Sequence, residues 1–212
     1  MARAPSSKAS SDRPQPSGGR RAPWGTISRE RVIDAATQVV STGGYEELSF
    51  RSLASDLGVS PMALYKHVED KDDLLDEVVD RLLAKAWKPT VSRDDWRAWT
   101  IQAADKLRRF LVSQPAALHV YFRHPVVSPA AVARMNAMMD VLRTGIGDED
   151  AARRAYASLH TYTLGFAALE AARSGWTPAA NDVDDLAREL ATYTSHEQFS
   201  DGLRYLLDGI TR

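Results

Sequence analysis

The sequence predicts an all-α protein in two parts, and three observations lead there. Apolar residues recur at helical spacing from Ser28 onward. No stretch sustains two-residue alternation with β-branched residues. Gly and Pro clusters cut the chain into pieces of helix length, for roughly nine or ten helices and no internal repeat.

Residues 1–25 are rich in Ser, Pro, Arg, Gly and Ala, with almost no large apolar residue before Trp24. Such a segment buries too little surface to offset the entropy of ordering, so a disordered arm is expected. Ser28 then caps a helix carrying Val32, Ile33, Ala36, Val39 and Val40, which Gly43-Gly44 stops. Ser49 opens a second helix with Leu53, Ala54 and Leu57 on one face, ended by Gly58. Ser60 caps a third, with Pro61 at its first position and Leu64 and Val68 as its buried pair. Asp70 opens the fourth, where Asp72 and Asp73 suit the positive end of the helix dipole. Leu74, Leu75, Val78, Val79, Leu82 and Leu83 give it a wide apolar face up to Trp87, where Lys88-Pro89 breaks it. Further helices are expected at Asp95–Ser113, Ala116–Phe122, Pro129–Gly145, Asp148–Ser174, Asp182–Thr194 and His196–Asp208. Pro115, Pro125, Gly145-Ile146-Gly147 and Gly175-Trp176-Thr177-Pro178 separate them.

Composition narrows the function classes. The 212 residues are 44% hydrophobic and 26% charged, ordinary for a soluble globular protein. There is no cysteine, which excludes disulfides and thiolate metal sites. No apolar run reaches the ~20 residues that a bilayer crossing needs. The N-terminus lacks an apolar signal core, so a cytoplasmic setting without membrane contact is expected. The net charge of −1 hides an asymmetry: residues 1–31 hold seven Arg or Lys against two acids, so the rest carries −6. A basic arm on an acidic body suits contact with a polyanion, and a solubilising tail is the plainer alternative. No serine elbow, phosphate loop or His-Glu-x-x-His motif appears, so no catalytic residue, metal or cofactor is expected and the chain is read as not an enzyme.

The stretch "FRSLASDLGVSPMALYKHV", residues 50–68, has the plan of a helix-turn-helix: two short helices around a Gly turn, with Val59 plugging the angle. The second helix is too short to stand alone. Its outer face is free to enter a major groove. The longer segment "LSFRSLASDLGVSPMALYKHVEDKDDLLDEVV" resembles the DNA-binding domain of TetR family transcriptional regulators. The Leu-Gly-Val-Ser turn, Leu64-Tyr65-Lys66-His67-Val68, Lys71-Asp72-Asp73-Leu74-Leu75 and the preceding Gly43-Gly44-Tyr45 carry the likeness, over about residues 28–87. "TYTLGFAALE" and "FSDGLRYLLDGI" resemble the tetracycline-repressor type of C-terminal body.

The resemblance implies a three-helix DNA-reading head at 26–72, a linking helix at 71–87, and an effector-binding and dimerisation domain at 88–212. The implied partners are double-stranded operator DNA, a small-molecule effector and a second copy of the chain. The implied function is a repressor released from DNA by its effector. The alternative is a helical enzyme or partner-binding protein that borrows the helix-turn-helix shape.

Candidate DNA contacts are Ser49, Arg51, Ser60, Pro61, Met62, Ala63, Tyr65, Lys66, His67 and Lys71. Arg51 suits a bidentate bond to guanine. Pro61, Met62 and Ala63 offer apolar contact to base edges, with core filling the other reading of Met62. Tyr65, Lys66 and His67, on the third helix, match family contacts to phosphate, sugar or thymine methyl. Lys71 matches a phosphate contact at a helix start. His67 has no acid or second His at ligand spacing, so a metal role is excluded. Residues 32–71 hold three Arg or Lys against six acids, so a few well-placed contacts must overcome local repulsion.

Candidate effector-pocket residues are Trp87, Phe110, Tyr121, Met135, Met138, Met139, His160 and Glu170, between the fourth helix and the helices from Asp95 to Ser174. Tetracycline-binding relatives use histidines and magnesium here. Trp87 and Tyr121 stand at two of those histidine positions, which implies an apolar or aromatic effector rather than a metal-bound one. Ala-rich Ala151–Ser174 and the face of Phe199, Gly202, Leu203, Leu206 and Leu207 suit a four-helix homodimer interface.

Overall fold

The computed structural model describes residues 27–86, 94–123, 128–174 and 193–210. These form nine helices and no strand: α1 Arg29–Gly43, α2 Phe50–Leu57, α3 Pro61–Leu64, α4 Lys71–Ala86, α5 Trp96–Ser113, α6 Pro115–Arg123, α7 Pro129–Ile146, α8 Glu149–Arg173 and α9 His196–Ile210. The basic arm, Trp87, His124 and most of the helix expected at Asp182–Thr194 lie outside the described residues.

Local chemistry sets most boundaries. The side chains of Ser28, Ser49, Asp95, Ser128 and Asp148 each accept a hydrogen bond from a first-turn N–H of the helix they cap. Asp70 Oδ1 accepts from the N–H groups of Asp72 and Asp73, both at 2.8 Å, and opens α4 the same way. Gly58 closes α2 in the left-handed conformation, φ 66°, where its N–H reaches the carbonyls of Ala54 and Ser55.

Two expectations at α3 need correction. Ser60 makes no side-chain cap bond, although its carbonyl accepts the Ala63 N–H at 2.9 Å. The helix is a single turn of four residues. Tyr65, Lys66 and His67 lie in the turn that follows it, because the His67 and Val68 N–H groups both fold back onto the Leu64 carbonyl.

The core has two clusters. In the first, Val32, Leu53, Leu64 and Val68 of the head meet Leu74, Leu75, Val78, Val79 and Leu83 of α4. The same cluster continues into Phe110, Leu111, Ala117 and Val120 of α5 and α6. In the second, Met139, Leu142, Ala155, Leu159, Phe166, Phe199, Leu203 and Leu207 join α7, α8 and α9. Arg108 of α5 braces this body from inside. Its side chain is only 6% exposed, with Nη1 2.6 Å from Glu170 Oε2 and Nη2 2.8 Å from Asp105 Oδ1. Its guanidinium carbon sits 5.1 Å from the centre of the Phe199 ring. Burial works against the charge, and the bonds to Glu170 and Asp105 outweigh it, so the Arg108 pKa stands above the usual value.

Helices α5 and α7 approach closely where Gly145 faces Trp96, and a Cβ at Gly145 would overlap the indole ring. Gly145→Ala is therefore expected to lower the thermal midpoint. Overpacking at such a contact costs about 1–3 kcal/mol, more than the ~1 kcal/mol that alanine returns as helix propensity. A melt followed by circular dichroism checks this, and an unchanged or raised midpoint contradicts it.

Candidate functional site

The head divides cleanly into a buried side and a bare side. Leu53, Ala54, Leu64 and Val68 are buried. Ser49, Arg51, Ser60, Pro61, Met62, Tyr65, Lys66 and Lys71 are exposed, and Ala63 and His67 are half-buried. Met62 is 71% exposed, which removes the core reading for it. Ser49 Oγ already accepts the Ser52 N–H at 3.1 Å, so its lone pair is committed in part to capping. The Tyr65 ring leans on Phe50, with centroids 4.7 Å apart, and so ties the turn after α3 to the start of α2. Phe50 was not among the expected site residues; its place one step after the Ser49 cap is the signal for it.

Charge in the head is arranged rather than averaged. Arg81 pairs with Asp34. Arg29 Nη2 lies 2.8 Å from Glu77 Oε1 and 3.6 Å from Asp73 Oδ1, and its Nη1 donates to the His67 carbonyl. Arg51, Lys66 and Lys71 have no ion-pair partner among the described residues. Structural arginines thus quench acids of α1 and α4 while these three cations stand open to solvent.

A second feature lies in the body. A cavity of about 640 Å³ opens between α5, α6, α7 and α8. Tyr121, Met135, Met138 and His160 of the expected set line it, together with Arg123, Arg134, Tyr156 and Leu164, among others. The His160 ring stacks on Tyr156, with centroids 5.4 Å apart and 12° between planes, and tilts toward Tyr121 at 6.1 Å. Burial raises Tyr121 to about 12, raises Tyr156 and lowers His160, so all three are neutral near pH 7. Burial also lowers the Arg134 pKa. Its Nη1 donates to the Ala130 carbonyl at 2.7 Å and its Nη2 to the Leu83 carbonyl of α4.

The remaining expectations fall elsewhere. Met139 points into the second core cluster, about 100° around α7 from Met138. Phe110 belongs to the first core and edges a different, more open depression beside Leu82 and Arg109. Glu170 is engaged by Arg108. Trp87 is outside the described residues. No described residue of α4 lines the cavity, against the expectation that α4 would wall it. Among the described residues no cluster of three or more His, Asp or Glu is placed to hold a metal ion.

Comparison with known proteins supplies a family. The model of bacterial regulatory proteins of the tetR family matches residues 32–78. The model of the tetracyclin repressor-like C-terminal domain matches residues 88–212. An HTH-type transcriptional regulator of Saccharopolyspora erythraea is 30% identical over 145 residues, which cover 68% of this chain and 61% of that protein. The HTH-type transcriptional repressor DrrR1 of Streptomyces coeruleorubidus is 32% identical over 124 residues, 58% of this chain and 46% of that protein. The chain therefore spans about half to three fifths of these relatives' length. The crystal structure of the TetR family protein ActR of Streptomyces coelicolor in complex with actinorhodin superposes with a TM-score of 0.71. It is 22% identical and covers 88% of this chain and 98% of that one, which supports the fold.

The Phe50–Tyr65 contact sets a stability expectation for the bare side of the head. Tyr65→Ala should lower the unfolding free energy by about 0.5–1.5 kcal/mol because the ring pair is removed, and Tyr65→Phe should leave it unchanged. Chemical denaturation of both variants checks this; equal losses would contradict a ring contact.

Proposed function

The chain belongs to the tetR family of bacterial regulatory proteins, and from that membership we propose that it is a DNA-binding transcriptional repressor released from its operator by a small-molecule effector. The family is one of regulators, not enzymes. The observation that carries the reading is the division of the head. Helices α2 and α3 and the turn after them bury Leu53, Ala54, Leu64 and Val68 and leave Arg51, Pro61, Met62, Tyr65 and Lys66 bare on the other side. A helix of one turn has no independent stability to contribute, and its bare Pro61 and Met62 with the exposed Tyr65 and Lys66 of the following turn suit a major groove.

In this reading residues 26–72 read operator DNA, 71–87 link, and 88–212 bind effector and dimerise. Arg51 reads a base edge, and Lys71 at the start of α4 holds phosphate. The body cavity takes the effector, whose aromatic walls favour an aromatic, largely apolar molecule. Effector binding favours a subunit arrangement whose two heads no longer fit successive major grooves. The homodimer forms through the outer faces of α8 and α9, not through the face expected from the sequence, because Phe199, Leu203 and Leu207 are buried in the chain's own core and Gly202 packs against Tyr162. A cytoplasmic setting fits this role. Among the described residues no helix is long and apolar enough to cross a membrane.

Two measurements test this. In a gel shift against the DNA upstream of the chain's own gene, Arg51→Ala should weaken binding by about 1–3 kcal/mol and relax sequence choice. Lys71→Ala should weaken all sequences alike and reduce the salt slope by about one unit, as expected when one phosphate is no longer neutralised. If both variants bind like the parent across a salt titration, the reading face is misassigned. Sedimentation should give a dimer at micromolar concentration, and a monomer there would remove the two-headed geometry.

A further inference from the structure

Arg123 is the last residue of α6 and lines the body cavity, yet its guanidinium is bonded to α4. Nη1 lies 2.5 Å from Asp72 Oδ1. Nη2 lies 2.7 Å from Asp76 Oδ1 and donates to the Asp72 carbonyl at 3.4 Å. Both terminal nitrogens are thus engaged by the first turns of α4, directly beside Lys71. The acids are partly exposed, with side chains 56% and 35% accessible. An ion pair of that exposure is weak and readily exchanged.

The cavity's charges point one way. Among its described lining residues the fixed charges are Arg123 and Arg134, and no Asp or Glu appears. Besides Asp72 and Asp76 at Arg123, the acid that faces this region from α4 is Asp80, whose Oδ1 accepts the Ala130 N–H at 2.9 Å and which bears on Arg134 and Tyr121. The other polar walls, Tyr121, Tyr156, His160 and Thr163, are hydrogen-bonding groups without charge near pH 7. A ligand acid group therefore meets cations and neutral donors, whereas a ligand cation meets aromatic faces but no carboxylate among the described lining residues.

We propose that the effector is an acidic aromatic molecule, and that its acid group competes with Asp72 and Asp76 for Arg123, so that binding in the cavity unlatches the start of α4 from α6. This rests on the reading of the cavity as the effector site. Arginine's planar fork bonds a carboxylate or sulfonate with the same two nitrogens that hold α4. Latch and ligand acid cannot both have them. The exchange frees the turn that carries Lys71 without disturbing the apolar stripe of α4 below it.

The test uses the full chain and two fluorescent probes of nearly one ring frame. Anilinonaphthalene sulfonate carries an acid group; N-phenylnaphthylamine does not. The parent should bind the sulfonate about tenfold tighter or more than the neutral amine, as expected of a charge-assisted bidentate contact. Arg123→Met should remove most of that preference and leave the amine within about twofold. The double variant Asp72→Asn with Asp76→Asn should tighten the sulfonate by about threefold or more, because the competing partners are gone. Asp73→Asn with Glu77→Gln removes the same charge from α4 but faces Arg29, and should leave sulfonate affinity within about twofold. A gain of affinity does not arise from misfolding, so the double variant decides even if Arg123→Met folds poorly. Equal binding of the two probes by the parent, or equal tightening in both double variants, overturns the inference while leaving the cavity as the effector site. Failure of both probes to bind overturns the inference and the cavity reading together.

Discussion

Among the described residues, the apolar core that links the two halves of this protein runs along one helix, α4. The inner stripe of α4, Leu74, Leu75, Val78, Val79 and Leu83, packs at one end on Val32, Leu53 and Leu64 and at the other on Phe110, Leu111 and Val120. Among the described residues the core is therefore continuous from head to body. Close-packed interiors shift as units rather than deform smoothly, so a displacement at one end of α4 reaches the other. Polar contacts follow the same helix at successive heights. Arg123 holds Asp72 and Asp76, Asp80 takes the Ala130 N–H, and Arg134 donates to the Leu83 carbonyl. Two of these three attachments belong to residues that line the cavity. His119 of α6 adds a fourth link, stacking on Tyr45 of the head at 5.0 Å.

The far side of the body supplies the fixed frame. Arg108 with Asp105 and Glu170 joins α5 to α8, and His196 of α9 approaches Asp105 at 3.3 Å. Removing one partner of such a buried set leaves an uncompensated charge, so these helices are held in register more firmly than the rim of the cavity. The contrast matters for a switch. The charges around Arg108 are deep and mutually satisfied, whereas those around Arg123 reach solvent and exchange at little cost.

Most of the head was legible because its signals are local. Ser28, Ser49 and Asp70 cap through bonds within three residues, and Gly58 ends α2 by its own backbone freedom. The length of α3 was not legible, because whether Tyr65–His67 continue a helix depends on how Leu64 and Val68 seat in the core. Of the residues expected in the pocket, Tyr121, Met135, Met138 and His160 come together and Phe110, Met139 and Glu170 do not. Met138 and Met139 point about 100° apart on α7, and the rotation of α7 puts Met138 at the cavity and Met139 in the second core cluster. Helical rotation is set by tertiary packing that composition does not encode. The part played by Arg123 was hidden for a related reason: its partners lie 47 and 51 residues away. Glu170 read as a pocket acid because its countercharge, Arg108, lies 62 residues away.

Under the proposed function an acidic head meets a polyanion, which is less paradoxical than its charge count suggests. Coulomb energy depends on where charges stand, and salt screens those separated by more than about 10 Å. Asp34, one of the six acids within residues 32–71, is answered by Arg81, and Asp73 and Glu77 of α4 by Arg29. Arg29 does double duty, because the same guanidinium also holds the His67 carbonyl and so fixes the turn that presents Tyr65 and Lys66. The acids of α4 are therefore structural counterions that position the head. The cations exposed on α2, on the turn after α3 and at the start of α4 are Arg51, Lys66 and Lys71, without ion-pair partners among the described residues. A reading surface built this way gains little from nonspecific attraction and depends on the fit of a few side chains. Shifting the start of α4, where Lys71 sits next to the Arg123 latch, would then remove a large share of the hold at once.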